Sequence, residues 1–86
     1  MPTISSFYGI LILMFWGDHA PPHFHARYAG HEAVIDINAL EVIRGKLPHR
    51  ALHLVLDWAE FHQQELLEDW RLCENNLPPK PITPLP

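Results

Sequence analysis

The chain has 86 residues, of which 48% are hydrophobic and 19% are charged, and its formal net charge is −4 at pH 7. This length supports one hydrophobic core and leaves no room for a second domain, while the apolar content is typical of a folded chain and not of a disordered one. A negative net charge argues against non-specific binding to nucleic acid, because that binding requires a basic surface.

The first predicted strand runs from Ile4 to Phe15. Its alternating positions are apolar on both faces, which is typical of a strand covered on both sides. The longest apolar run, Phe7 to Trp16, is about half the length that a membrane-spanning helix requires, so we expect no membrane anchor. Gly17-Asp18 and Pro21-Pro22 end the strand, because proline cannot donate to a strand ladder and biases its neighbours towards turns.

The next two strands carry the most informative pattern. Residues 23–28 alternate strictly between polar and apolar side chains. In the next strand Glu32, Val34 and Asp36 alternate with Ala33, Ile35 and Ile37. A tight hairpin centred on Ala29-Gly30 places the polar residues of both strands on one face, because paired residues share a face. The expected pairs are Arg27 with Glu32, His25 with Val34, and His23 with Asp36.

A short fourth strand, about Leu40 to Arg44, is expected next, followed by a helix. Pro48 suits the first turn of a helix, and no residue breaks the helix before about Cys73. At 1.5 Å per residue such a helix is about 37 Å long. The predicted fold is therefore α+β, in the order βββ(β)α, with a three- or four-stranded, mainly antiparallel sheet and one long C-terminal helix on one face. The expected core residues of the helix are Leu52, Val55, Leu56, Ala59, Leu66, Leu67 and Trp70.

Three further apolar side chains, Leu54, Trp58 and Phe61, widen the apolar arc of the helix beyond what one sheet face requires. Such a patch is typical of an interface, so these residues are candidate binding residues for a second copy of the chain or for another protein. The alternative is that loops cover them. The proline-rich residues 77–86 are expected to form an extended tail outside a single domain of residues 1–76, either as a ligand strand for a groove or as a loose end.

Cys73 is the only cysteine, which excludes an internal disulfide and favours a reducing, cytoplasmic location. The sequence also lacks the basic segment and small-residue cleavage site of a signal peptide. Because Cys73 falls at the end of the helix among polar residues, we expect a surface thiol there.

The histidine-rich stretch from Asp18 to His25 is the candidate site. A His-x-His pair on one strand places its two imidazoles about 6.5 to 7 Å apart along the chain, close enough to share a metal ion. A third ligand is available from Asp36 across the hairpin, or from His19 or Asp18 in the loop. Two nitrogens and a carboxylate suit zinc or another divalent transition ion. The metal candidates are His19, His23, His25 and Asp36, and Asp18 and Glu32 are further candidate binding residues.

Two other interpretations of the same stretch stay open. Without a metal, His23 and His25, one neutral and one protonated, could cleave RNA while Arg27 holds a phosphate, which makes these three the catalytic candidates. In the other interpretation the histidines are structural and form hydrogen bonds to Asp36, Glu32 and loop carbonyls. The sequence alone leaves open whether the protein is an enzyme.

Several short motifs are distributed over nearly the whole chain. They are Met1-Pro2-Thr3-Ile4-Ser5, Asp18-His19, Pro21-Pro22-His23-Phe24-His25, Leu47-Pro48, Arg50-Ala51-Leu52, Trp58, Glu65-Leu66, Trp70 and Pro84-Leu85. Together they resemble a family of small bacterial proteins known as domain of unknown function 4160. The resemblance implies a partner protein encoded beside this one, in an arrangement similar to toxin and antitoxin pairs. It transfers no catalytic residue.

One position departs from the family pattern. Where the resemblance implies a basic residue this chain has Ser6, which argues further against a nucleic-acid role. We therefore expect a protein-interaction component of a toxin-antitoxin-like pair, with a homodimer or the neighbouring small protein as its partner. The alternative is a metal-binding or His-based hydrolytic, RNase-like protein centred on His23 and His25.

Overall fold

The computed structural model describes residues 3–86, which form five strands and two helices. The strands make one antiparallel sheet in the order β1-β2-β3-β4-β5, so each strand pairs with its neighbour in sequence. The predicted α+β class is confirmed, while the numbers of strands and helices differ from the prediction. The elements are β1 (Thr3–Phe7), β2 (Ile10–Leu13), β3 (His23–Tyr28), β4 (His31–Asp36), β5 (Val42–Gly45), α1 (His49–Phe61) and α2 (Gln63–Glu74).

The first predicted strand is in fact a hairpin, so the prediction of one strand over residues 4–15 is wrong. Tyr8 and Gly9 form a two-residue turn with φ of 50° and 78°. Two positive φ angles in succession define the tight turn that matches the twist of antiparallel strands, and glycine adopts that conformation without a steric penalty. The length of the apolar run and the isolated Gly9 were the two signals for this turn.

The second hairpin confirms the predicted register. Ala29 and Gly30 form its turn, with φ of 47° and 82°. Arg27 pairs with Glu32, His25 with Val34, and His23 with Asp36. Because Phe24, Ala26, Ala33 and Ile35 alternate with these positions, they point to the opposite face and are fully buried in the core.

The long helix is divided at His62, so the prediction of one continuous helix is corrected. His62 has φ of −120° and ψ of 20°, and its N–H donates to the carbonyl of Ala59, three residues back. The Gln63 side-chain amide donates to the carbonyls of Ile37 and Asn38 at 2.7 and 3.1 Å. These hydrogen bonds attach the start of α2 to the residues that follow β4. A straight helix of about 37 Å would exceed the longest dimension of the molecule, 33 Å. The bend keeps Leu66 and Trp70 against the core.

The core lies between one face of the sheet and the two helices. Trp58 is completely buried there, with its ring 5.4 Å from Phe7 and 6.0 Å from Phe24. Cys73 is buried as well, so the expectation of a surface thiol is wrong, and burial raises the pKa of this thiol. None of the helices in the described range, 3–86, is long and apolar enough to cross a membrane.

The proline-rich residues 77–86 pack against the rest of the chain. Ile82 is 4% exposed and belongs to the core, and its N–H donates to the carbonyl of Ile4 at the outer edge of β1. The Trp58 indole N–H donates to the carbonyl of Thr83 at 2.8 Å, and the Lys80 N–H donates to Asp69 Oδ1 at 2.8 Å. This segment therefore covers Trp58 and supplies part of the core. Residues 1 and 2 of the predicted domain 1–76 lie outside the described residues.

Replacing Ile82 tests whether the tail is part of the folded unit. Ile82→Ala removes a buried side chain and leaves a cavity, so we expect the free energy of unfolding to fall by about 2 to 4 kcal/mol in urea titrations. Leu77→Ala is the control, because Leu77 is half exposed, and we expect a change of about 0.5 kcal/mol or less. Equal small losses in both variants would contradict a packed tail.

The buried carboxyl group of Asp69 predicts a pH dependence of stability. Burial raises the pKa of Asp69, the neighbouring Glu68 and Glu65 add to this effect, and the hydrogen bond from Lys80 opposes it. The folded state therefore binds this proton more tightly than the unfolded state. The contribution of Asp69 to stability rises as the pH falls from neutral towards the pKa of the unfolded chain.

The comparison with Asp69→Asn isolates this group. From urea titrations at pH 7, 5.5 and 4, we expect wild type to gain stability relative to Asp69→Asn as the pH falls. All other carboxyl groups titrate in both proteins, so their effects cancel in the difference. Glu60→Gln, on the exposed side of α1, serves as the control. A difference that stays constant with pH would contradict the role of Asp69.

Candidate functional site

The site is built where the loop between β2 and β3 folds back over the start of β3. His23 and His25 lie two residues apart on β3, so both side chains leave the same face of the sheet, opposite the face that carries Phe24. Each histidine is only 7% exposed, and their ring centroids are 5.3 Å apart. The alternation of β3 thus places two imidazoles side by side under the loop.

Asp18 of the loop joins the two histidines through one atom. Its Oδ2 lies 3.0 Å from His23 Nε2 and 3.2 Å from His25 Nε2. Gly17, with φ of 73°, precedes Asp18 and allows the chain to turn there. One carboxylate oxygen therefore lies within hydrogen-bond distance of the inner nitrogens of both rings.

The outer nitrogens of the two rings also have acceptors. His23 Nδ1–H donates to the carbonyl oxygen of Pro21 at 2.8 Å, and His25 Nδ1–H donates to Glu32 Oε2 at 2.9 Å. The other oxygen of Glu32 accepts from Arg27 Nε at 2.9 Å. A chain of hydrogen bonds thus runs from Arg27 through Glu32 to His25 and on to Asp18.

Aromatic rings hold the imidazoles from the sides. Phe15 meets His25 edge to face at a centroid distance of 4.6 Å, and Trp70 of α2 lies 5.0 Å from the ring of His23. These contacts limit rotation of both imidazoles, because a ring packed against another ring cannot turn without displacing it. The site is therefore ordered by packing as well as by hydrogen bonds.

Both carboxyl groups of the site favour the ionised form. Burial alone would raise the pKa of Asp18, but hydrogen bonds and attraction from His25 and His23 outweigh it and hold this pKa below its ordinary value. The pKa of Glu32 is also lowered, mainly by the hydrogen bond from His25 and further by Arg27, against the opposing effect of burial. Two carboxylates at neutral pH accept hydrogen bonds and donate none.

The two imidazoles contact more acceptors than they have N–H groups when both rings are neutral. The two rings make four contacts to acceptors, at Pro21, Glu32 and twice at Asp18. Two neutral imidazoles carry only two N–H groups, one on each ring. The deficit of two donors is met either by two additional protons or by a cation that binds both Nε2 atoms and Asp18.

Within residues 3–86, Asp18, His23 and His25 form the group of side chains that could hold a metal ion. One ligand atom from each of the three lies within 4.8 Å of the other two. The sequence placed His23 and His25 in the metal set and named Asp18 as a further binding residue. The structure brings all three together.

The other two predicted metal ligands lie elsewhere. Asp36 is opposite His23 in the register, but its Oδ1 accepts the N–H groups of Asn38 and Ala39 at 2.8 and 2.9 Å. This carboxylate therefore stabilises the turn after β4, as aspartate commonly does at such positions. His19 is exposed and lines a cavity beside the site. Of the three third ligands that the sequence offered, Asp36, His19 and Asp18, the structure brings Asp18 to the two histidines.

The predicted apolar patch on the helix is divided by the fold. Trp58 faces the core, and Leu54 is half-buried beside a different cavity near the start of α1. Phe61 alone of the three is well exposed, at 81%. The three residues therefore do not form a continuous surface, because the bend at His62 and the tail cover Trp58, which lies between the other two.

Arg44 is a residue of this face that the sequence analysis missed. It pairs with Val34 of β4, which in turn pairs with His25, so Arg44 lies in the same cross-strand row as the site. With Asp18, His23 and Val34 it lines a cavity of about 210 Å³ beside His23. Extending the predicted pairing of β3 and β4 to the next strand would have placed Arg44 on the face of the histidines.

Comparison with known proteins places the chain in a family. No curated protein and no solved structure matches the sequence. The sequence model of one family matches residues 9–71, which is more than half of the chain and includes the loop, β3 and most of both helices. The chain belongs to the family described as Domain of unknown function (DUF4160).

Proposed function

We propose that the protein binds one divalent transition metal ion, with zinc as the first candidate, through His23, His25 and Asp18. The observation that carries this proposal is the convergence of both Nε2 atoms on one oxygen of Asp18, at 3.0 and 3.2 Å. Ligands about 2.0 to 2.1 Å from a tetrahedral ion stand about 3.3 Å from one another. The observed spacings are close to that value, so small side-chain movements suffice to admit the ion.

The outer hydrogen bonds support the same proposal. Histidines that bind metals commonly donate their second N–H to a carbonyl or a carboxylate, which fixes the orientation and protonation of the ring. His23 has the Pro21 carbonyl in that position, and His25 has Glu32, itself held by Arg27. A divalent ion between the Nε2 atoms would also replace the two protons that the metal-free hydrogen bonds require.

Three protein ligands leave a coordination position for water or a substrate. Catalytic zinc sites share this property, whereas structural zinc sites use four protein ligands. The cavity of about 210 Å³ beside Asp18 and His23 provides an approach to that position. Such an ion acts as a Lewis acid or activates bound water, so hydrolysis is the reaction class we propose for the site.

The geometry gives less support to metal-free cleavage of RNA. A general base needs a ring nitrogen with a free lone pair. Both nitrogens of His23 and both nitrogens of His25 already face acceptors. Arg27 is bound to Glu32 and does not point freely towards a phosphate. These contacts favour the metal-dependent member of the two hydrolytic alternatives.

Metal analysis tests the proposal. Protein purified without an affinity tag and dialysed against zinc is expected to retain about one ion per chain, since three ligands converge on one point. We expect His23→Ala and His25→Ala to lose it. We expect Glu32→Gln, which leaves the ligands intact, to weaken zinc binding about 10- to 100-fold. Elemental analysis and competition with a chromophoric chelator measure these effects.

Two histidine variants provide the matched controls. His31 is exposed at the start of β4, and His19 lies in the loop without a place in the ligand set. We expect His31→Ala and His19→Ala to retain the ion, with far-ultraviolet circular dichroism confirming that every variant is folded. Retention of zinc by folded His23→Ala and His25→Ala proteins would refute the proposed ligand set.

We also propose, as a second function, that the protein binds another small protein, as in a toxin-antitoxin-like pair. The supporting observation is Phe61, a large apolar side chain that is 81% exposed at the end of α1. Exposed aromatic residues of this kind are enriched in protein interfaces. Leu54 is only half-buried, but Trp58 cannot contribute directly because it is buried in the core.

Replacing Phe61 tests this second proposal. We expect the wild-type chain to co-purify with the product of the gene beside its own, and Phe61→Ser to lose the partner because an apolar anchor is removed. Glu60→Gln changes the neighbouring exposed position and is expected to keep the partner. Failure of the wild-type chain to bind that product, or equal binding by Phe61→Ser, would contradict a partner surface at Phe61.

A further inference from the structure

The cavity beside the histidines has a second charged group on its wall. Arg44 of β5 lines it, and the other lining residues include Asp18, His19, His23, Val34 and Ile43. No carboxylate within residues 3–86 forms an ion pair with Arg44. An arginine side chain without a partner at the edge of a cavity is available to bind a ligand.

The sheet fixes the separation between Arg44 and the histidines. Val34 lies between them, paired with His25 on one side and with Arg44 on the other. Adjacent strands are about 4.8 Å apart, so the backbones of His25 and Arg44 are separated by about 10 Å. A long side chain such as arginine can extend over Val34 towards Asp18 and His23, which line the same cavity. This separation leaves room for one small ligand between the guanidinium and the site of the ion.

The charges on this face favour an anion. Asp18, Glu32 and Asp36 carry negative charge, and Arg27 and Arg44 carry positive charge on the same side of the sheet. Three carboxylates and two guanidinium groups give a formal charge of about −1, which a bound divalent ion changes to about +1. Although the whole chain has a formal net charge of −4, this face is locally positive once the ion is bound.

We infer that the cavity binds a tetrahedral oxyanion, as inorganic phosphate or as the phosphoryl group of an ester, between the metal ion and Arg44. This inference rests on the proposed metal site. One oxygen occupies the open coordination position, and two others accept hydrogen bonds from the planar guanidinium, which matches phosphate with two parallel donors. The cavity volume of about 210 Å³ accommodates the phosphoryl group, and the remainder of an ester extends into solvent through the open side.

The ligand class extends the proposed reaction. A phosphoryl group held by a divalent ion and an arginine has its negative charge stabilised at two points, which is the usual arrangement in phosphoryl-transfer sites. A phosphate ester is therefore the substrate class that the structure assigns to this site.

Cobalt-substituted protein tests the inference, because the visible absorption of Co²⁺ reports changes in its ligands. Protein loaded with Co²⁺ is titrated with inorganic phosphate and, separately, with phenyl phosphate. We expect a saturable change in the visible bands with at least one of them, and the comparison shows whether the free anion or the ester is preferred. Arg44→Gln should weaken the binding about tenfold or more, because a charge-assisted hydrogen bond is lost, while the cobalt content stays unchanged.

The control variant is Arg50→Gln, at the exposed start of α1 and on the wall of a different cavity. We expect it to bind cobalt and phosphate as wild type does. If cobalt binds but neither anion changes its spectrum, or if Arg44→Gln binds the anions as tightly as wild type, the oxyanion site is refuted and the metal site stands. If cobalt does not bind, or if Asp18→Asn binds it unchanged, the proposed metal site fails and the inference fails with it.

Discussion

The pairing of β3 with β4 is the constraint on which the rest of the structure depends. The turn at Ala29 and Gly30 sets a register in which His23, His25, Arg27, Glu32 and Asp36 share one face, while Phe24, Ala26, Ala33 and Ile35 share the other. A slip of one residue would place histidine and glutamate in the core and phenylalanine in solvent, at a cost of several kcal/mol for the unpaired buried polar groups. The same register therefore selects the fold and assembles His25, Arg27 and Glu32 into one hydrogen-bonded set.

The two faces of the sheet have different tasks. The face towards the helices carries aliphatic and aromatic side chains that form the core with Trp58 of α1. The segment around Ile82 covers Trp58. The other face buries two histidines under a loop and satisfies them with Asp18, Glu32 and the Pro21 carbonyl. Burying two imidazoles and a carboxylate is unfavourable unless every donor finds an acceptor. The four acceptor contacts of the two rings exceed the two N–H groups of neutral imidazoles, which favours a cation between the Nε2 atoms and Asp18.

Metal binding, hydrolysis and recognition of an oxyanion would follow from one arrangement. The inner ring nitrogens and Asp18 present three ligands, the outer nitrogens are fixed by acceptors, and Arg44 lines the adjoining cavity. Three of the strands contribute through their register: β3 supplies the histidines, β4 supplies Glu32, and β5 supplies the arginine. The partner surface proposed at Phe61 belongs to α1 and does not contribute to this arrangement.

The sequence by itself determined what depends on local periodicity. Alternation over residues 23–37 gave the register of β3 and β4 and the shared face of His23 and His25, because the period of a strand is fixed at two residues. The sequence could not determine which loop residue completes the set. Asp18, Asp36 and His19 are all possible ligands in sequence, and only the path of the loop brings Asp18 onto both rings while Asp36 binds its own turn. The division of the helix at His62, the packing of the tail over Trp58 and the approach of Arg44 were likewise decided by tertiary contacts. These features join residues far apart in the chain, and no local pattern encodes their distance.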